Sequence, residues 1–362
     1  MKIYDETKNL DILKEPMFFG SGKNLQRYDI MKYPFFYDLA ERMDENFWKP
    51  SEISLLKDNA DFKNLNEAEK RIFTFNLKRQ IVLDSIQGRT ALMTFGRVCT
   101  NSAFEVAMTR LQFQEVNHSD TYSYILRNVF DNPAEIFDTI IDDEIILKHT
   151  KNITNAYEDF YDILNRWESG ENIPLKELKK KLWLALIAWN ILEGIRFFVS
   201  FACTFAFAEN KKMVGNAQEL KLIARDEILH LQMTQKLINI LKENEEEGFF
   251  EVIEETKDEV QEMFKEATLN EIEWAEYLFE EGSIIGLNTE ILTQYMKYIT
   301  NTRLRAIKEP KMFEEVTQNP LPWMDQWLGQ SREEVLPQEL EIVEYKIGVV
   351  RDIEESEWED VF

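Results

Sequence analysis

Between Leu182 and Ala208 the chain is almost wholly apolar, broken only by Glu193 and Arg196 into charge-free runs of 11 and 12 residues. Neither run reaches the roughly 20 apolar residues that a bilayer span requires. A helix that is apolar on every side belongs instead at the centre of a large bundle. The punctuation of the chain agrees. Its 362 residues include only 12 glycines and 9 prolines, which favours long helices over a many-stranded sheet, and a 44% hydrophobic content can fill a sizeable core. The expected fold is all-α.

Two further segments carry the chemistry. Glu115-Val-Asn-His118 and Glu227-Ile-Leu-His230 each set a carboxylate and an imidazole three residues apart, so that both lie on one helix face and can grip one metal ion. Tyr122 sits one turn beyond His118. Each pair has a carboxylate upstream: Asp84 lies 31 residues before Glu115, and Glu193 lies 34 before Glu227. Asp84 stands among aliphatic residues at core spacing, where an unpaired carboxylate is costly to bury and must be partnered or metal-bound. One carboxylate from each of two helices and a Glu-x-x-His from each of two others is the ligand set of ferritin-like two-metal bundles, and it occurs here once. Four carboxylates and two imidazoles make a hard, oxygen-rich site that suits iron or manganese better than zinc, and oxygen-linked redox chemistry follows.

Blander readings stand beside these. Glu227 could lie on a surface helix where Arg225, Asp226 and Glu227 only pair with one another. His149 has no acid three residues before it and reads as structural. Tyr122 is by its type more often a packed tyrosine than a redox group, although its register with two ligands points the other way. Phe197, Phe201 and Ile223 fall four or eight residues from Glu193 or Glu227 and could wall a dry pocket, or be ordinary core.

Along the chain, residues 1–32 show no periodicity and read as a surface arm. A first amphipathic helix is expected over Pro34–Trp48, and a long one from Asn66, with Glu69 placed to complete a capping box. The next runs from Ser102 to Val129, and Pro133 signals another start. Ser169–Pro174 is the clearest break in the middle, but a metal site built from both halves cannot be divided between independent domains. Pro174 opens the apolar helix. Further helices are expected over Met213–Lys242, Phe249–Glu281 and Ser283–Ile307. The organisation is thus a bundle over 1–330 and an acidic, aperiodic, flexible tail over 331–362.

The net charge of −25 opposes phosphate backbones and anionic lipid, so neither nucleic acid nor membrane is an expected partner. Cys99 and Cys203 are too few for a disulfide framework, and the N-terminus lacks a signal peptide's apolar core, which points to the cytoplasm.

The runs Leu83-Asp-Ser-Ile-Gln-Gly-Arg89, Glu115-x-x-His118-x-x-x-Tyr122, Leu192-Glu-Gly-Ile-Arg-Phe-Phe-Val-Ser-Phe201 and Ala224-Arg-Asp-Glu-Ile-Leu-His230 closely resemble the small (β) subunit of class I ribonucleotide reductases. Phe47-Trp48-Lys-Pro50, Asn319-Pro-Leu-Pro-Trp323 and the tail run Pro337–Tyr345 extend the likeness over nearly the whole chain. The resemblance implies that Asp84, Glu115, His118, Glu193, Glu227 and His230 hold two iron ions per chain, with manganese as the other candidate. It implies that dioxygen reacts there, that Tyr122 becomes a stable radical, and that Phe197, Phe201 and Ile223 shield it. Trp48, Asp226 and His118 match an internal relay, and Glu339 and Tyr345 match a tail that hands the radical to the large subunit. A homodimer is expected on the same ground. Leu111 and Met108 depart from the aromatic residues of some relatives. The readings from other classes are a free-standing two-metal oxidase, which would not need Tyr345, and an iron-storage bundle, which would need neither Tyr122 nor Trp48.

Overall fold

The computed structural model describes residues 4–6 and 10–329. Glu339, Tyr345 and the rest of the expected tail lie outside the described residues. Among the described residues, ten helices of nine or more residues build the bundle: α1 (Phe35–Glu45), α2 (Leu56–Asn64), α3 (Glu67–Met93), α4 (Ser102–Val129), α5 (Glu144–Glu168), α6 (Leu175–Ile191), α7 (Phe198–Glu209), α8 (Val214–Glu243), α9 (Lys257–Leu278) and α10 (Thr289–Ala306). No strand occurs among the described residues; a single isolated bridge joins Phe18 to Cys99. The fold is the expected ferritin-like helical bundle.

The apolar segment does occupy the centre. Leu175–Glu209 is long and apolar enough to cross a membrane, yet its most apolar window is wholly buried inside the protein. It is not one straight helix, as periodicity alone suggests. Leu192–Arg196 forms a π-helical turn between α6 and α7. The wider turn frees the Gly194 carbonyl, which accepts from Nε of the buried Arg303 at 3.0 Å. A Cβ at position 194 would sit 3.0 Å from the Leu231 side chain and 3.2 Å from that of Arg303, so glycine lets both pack there without shifting. Such single π turns concentrate at functional sites, and this one carries Glu193.

Around this centre α3 packs along α4, α5 along α6, and α8 against α6, the π turn and α7. The expected capping box opens α3: Glu69 N donates to Asn66 Oδ1 (2.9 Å) and Asn66 N to Glu69 Oε2 (3.2 Å). Two other starts are displaced, and one expected helix is divided. Pro133 begins only a six-residue turn, and α5 starts at Glu144, where Asp143 Oδ1 accepts from the amides of Ile145 and Ile146. The stretch from Phe249 divides at Thr256 into Phe250–Glu255 and α9. Gly282 and Gly286 take positive φ, so α10 waits for the Asn288 cap. The arm is also not wholly superficial. Met17 and Phe18 are fully buried; Phe18 packs edge-on against Phe104 and Phe249, and Met17 N donates to Glu247 Oε2 at 2.6 Å. Two buried residues in a row leave no periodic trace.

Candidate metal centre

Four helical segments converge on one buried point. Asp84 comes from α3, Glu115 and His118 from α4, Glu193 from the π turn, and Glu227 and His230 from α8, and none is more than 2% exposed. They form two overlapping quartets, Asp84–Glu115–His118–Glu227 and Glu115–Glu193–Glu227–His230, each with its ligand atoms within 4.8 Å of one another. Glu115 and Glu227 belong to both. Two positions sharing two carboxylates could hold a pair of ions.

Both imidazoles turn Nδ1 inward. His230 Nδ1 lies 2.9 Å from Glu227 Oε2 and 3.0 Å from Glu115 Oε1, and His118 Nδ1 lies 3.2 Å from Glu227 Oε1. Their outer nitrogens meet acceptors: His118 Nε2 is 3.3 Å from Asp226 Oδ2, and His230 Nε2 is 3.0 Å from Gln114 Oε1. This is how metal-bound histidines are oriented, the outer nitrogen tied to a carboxylate or amide while the inner one faces the acids of the cluster.

The donor set fits metal ions. Both oxygens of Asp84 and of Glu115, Nδ1 of His118, Oε2 of Glu193 and Oε1 of Glu227 are buried with no hydrogen-bonding partner. So many orphaned acceptors in one place are prohibitively costly unless cations compensate them. Protonation shifts tell the same story. Burial, then the charge of Glu115, pushes Asp84 well above the carboxylate range; burial and the charge of Glu227 do the same to Glu193. Burial disfavours charge on His230 too, but Glu227 and Glu115 outweigh it and raise the imidazole to about 9. Without cations the cluster must gather protons.

Tyr122 lies on α4 one turn past His118, fully buried, its hydroxyl without a partner of good geometry. Burial, then the charge of Asp84, holds the phenol well above its ordinary range. Phe197, Phe201 and Ile223 are all fully buried, and Phe197 stacks on Phe201 with centroids 5.7 Å apart. The π turn shifts both rings out of the simple α-helical register with Glu193 from which their position was reasoned. Trp48 stacks on His118 (6.3 Å, 25°) and donates from Nε1 to Asp226 Oδ2 at 2.8 Å. It also lines a cleft of about 340 Å³ with Phe47, Phe113, Gln114 and Asp226. The surface reading of Glu227 fails: Arg225 does pair with Asp226 at 3.5 Å, but Asp226 and Glu227 are buried. His149 is structural, as expected. It is buried with Nε2 2.9 Å from Glu273 Oε2, and burial together with Arg79 lowers it to about 4.

Sequence reasoning missed Gln87, Gln114 and Trp189. Gln87 Nε2 and Trp189 Nε1 both donate to Glu193 Oε1, at 2.9 and 2.7 Å. Trp189, four residues before Glu193, was legible as a helical neighbour; Gln87, 106 positions away, was not.

Residues 27–320 match the family model described as ribonucleotide reductase, small chain. The chain is 43% identical to the ribonucleoside-diphosphate reductase subunit beta of Buchnera aphidicola subsp. Baizongia pistaciae, the alignment covering 98% of each. It is 42% identical to the ribonucleoside-diphosphate reductase 1 subunit beta of Escherichia coli O157:H7, over 96% of this chain and 95% of that one. Among solved structures, the ribonucleotide reductase R2 subunit from Clostridium botulinum superposes with a TM-score of 0.80 at 30% identity, covering 91% of this chain and 98% of that one.

Proposed function

The chain belongs to the ribonucleotide reductase small-chain family, as the class I small subunit of an oxidoreductase that acts with a large subunit, and on that premise we propose that it generates and exports a tyrosyl radical. The observation that carries this reading is the pair of buried quartets sharing Glu115 and Glu227, with the Tyr122 phenol buried one turn from His118. Asp84, Glu115, His118, Glu193, Glu227 and His230 would hold two ions, iron in our reading and manganese as the other candidate. Bound there, such ions supply one-electron oxidation driven by dioxygen.

The protein's own residues do the rest. Tyr122 gives up one electron and its hydroxyl proton, and Asp84, whose charge bears on the phenol more than any other neighbour's, is placed to receive the proton. Phe197, Phe201 and Ile223 keep water from the phenoxyl oxygen, which would otherwise be quenched. Trp48, Asp226 and His118 form the outward relay, and Glu339 and Tyr345 of the tail carry it to the large subunit. A cytoplasmic homodimer completes the proposal.

The test is electron paramagnetic resonance of the metal-free protein after Fe(II) and oxygen are added. The native chain should develop a persistent tyrosyl signal. Tyr122→Phe should bind the same metal, cost no more than about 1 kcal/mol of stability for one hydroxyl, and give no signal. A signal that survives Tyr122→Phe would remove Tyr122 from the role.

A further inference from the structure

Glu193 differs from the other three carboxylates of the centre in what its oxygens touch. Oε1 accepts two nitrogen donors from outside the ligand set, Trp189 Nε1 at 2.7 Å and Gln87 Nε2 at 2.9 Å, whereas Oε2 has no partner and lies 3.9 Å from His230 Nδ1. Asp84 and Glu115 have neither oxygen tied in this way, and the hydrogen bond of Glu227 runs to His230, itself within the cluster. Both donors to Glu193 are themselves held. Tyr157 donates its hydroxyl to Gln87 Oε1 at 3.2 Å, which fixes the amide with its N–H toward Glu193. Trp189 stacks on Phe95 with centroids 4.8 Å apart and planes 14° from parallel, and Phe95 stacks in turn on Phe160. All five residues are buried.

We infer that Trp189 and Gln87, steadied by Tyr157, are positioning residues that commit Glu193 Oε1 to the protein and leave Oε2 as the only Glu193 atom available to a metal ion. The inference rests on the two-metal reading of the centre. Turning Oε1 toward an ion would break two charge-assisted hydrogen bonds and leave two buried N–H groups without partners, so the one-oxygen mode is enforced by the surroundings. Glu193 lies in the π turn, and donors from α3 and from the preceding turn of α6 reach the same oxygen. The two ion positions are therefore unlike: the His230 quartet contains a carboxylate locked to one oxygen, and the Asp84 quartet contains one with both oxygens free.

The experiment is a titration of the metal-free, full-length protein with Mn(II), counting free ion by electron paramagnetic resonance, and a parallel titration with Co(II), reading visible absorption. Trp189→Phe keeps a ring on Phe95 and deletes the N–H. Replacing Trp189 with benzothienylalanine keeps the full indole outline and deletes only the N–H, which covers the case in which Trp189→Phe does not fold. The native protein should take up two Mn(II). Either variant should keep its helical content, bind its weaker Mn(II) on the order of tenfold less tightly or worse, and show weaker Co(II) absorption as Glu193 becomes free to chelate and the coordination number rises. An unchanged affinity and an unchanged Co(II) spectrum in the benzothienylalanine protein would overturn the inference and reduce Trp189 to core packing. A native protein that takes up no Mn(II) would overturn the two-metal reading itself, so the native titration tells the two failures apart.

Discussion

The indole nitrogen of Trp48 lies 2.8 Å from Oδ2 of Asp226, the same oxygen that sits 3.3 Å from Nε2 of His118. A single carboxylate oxygen thus stands between the wall of a cleft and an imidazole whose inner nitrogen faces the buried centre. The cleft's rim is open to solvent, with Phe47 46% and Phe113 54% exposed.

Removing the indole N–H by Trp48→Phe should therefore separate export from generation. Metal uptake and the tyrosyl signal should persist, because neither depends on Trp48, while ribonucleotide reduction with the large subunit should fall to background. Turnover assays beside the radical signal decide it. Activity within a few-fold of native would make Trp48 a packing residue only.

Glu227 belongs to both quartets, so its loss should damage both ion positions. Glu227→Ala should bring bound metal well below two per chain while circular dichroism still reports a helical bundle. In the native protein, an ion supplied at 100 times its dissociation constant stabilises the fold by about 2.7 kcal/mol, and most of that gain should vanish in the variant. Thermal melts with and without Mn(II) measure it, and full metal loading of the variant would refute the ligand assignment.

The tail carries the proposed docking and hand-over residues Glu339 and Tyr345. A chain ending at Gly329 should form the tyrosyl signal as the native protein does, yet neither bind the large subunit nor support its turnover. Sedimentation with the large subunit provides the measurement, and retained nucleotide reduction would instead favour an oxidase that works alone.

A separate prediction concerns pH. Glu219 on α8 is fully buried with both oxygens unpartnered, and burial, followed by the charges of Asp58 and Glu52, raises it to about 9. The unfolded chain releases this proton near pH 4.5, so between there and pH 9 the folded state binds more protons and loses stability as pH rises. Glu219→Gln removes that loss. The variant should match native stability near pH 4.5 and exceed it on the order of 3 kcal/mol at pH 8, as denaturant melts across the range would show. Equal stability at pH 8 would mean that Glu219 is solvated.

What the sequence by itself determined is what repeats along a helix. Glu115 with His118, and Glu227 with His230, share a face because three residues make nearly one turn, and nothing distant can alter that. The capping box at Asn66 and the central burial of the Leu175–Glu209 segment are local or compositional in the same way. The likeness to a known family singled out Trp48, which periodicity alone leaves in the core, and Asp226, which its charged neighbours Arg225 and Glu227 leave open to a surface reading. The tertiary structure decided which oxygen meets which donor. Gln87 and Glu193 are 106 positions apart, and Trp48 and Asp226 are 178 apart, so no period connects them. The contact of the π turn with α10 is of the same kind, the Gly194 carbonyl accepting from Arg303 Nε 109 positions away. Helical register is set by bonds between near neighbours, whereas the state of a buried carboxylate is set by whatever the packed bundle places around it.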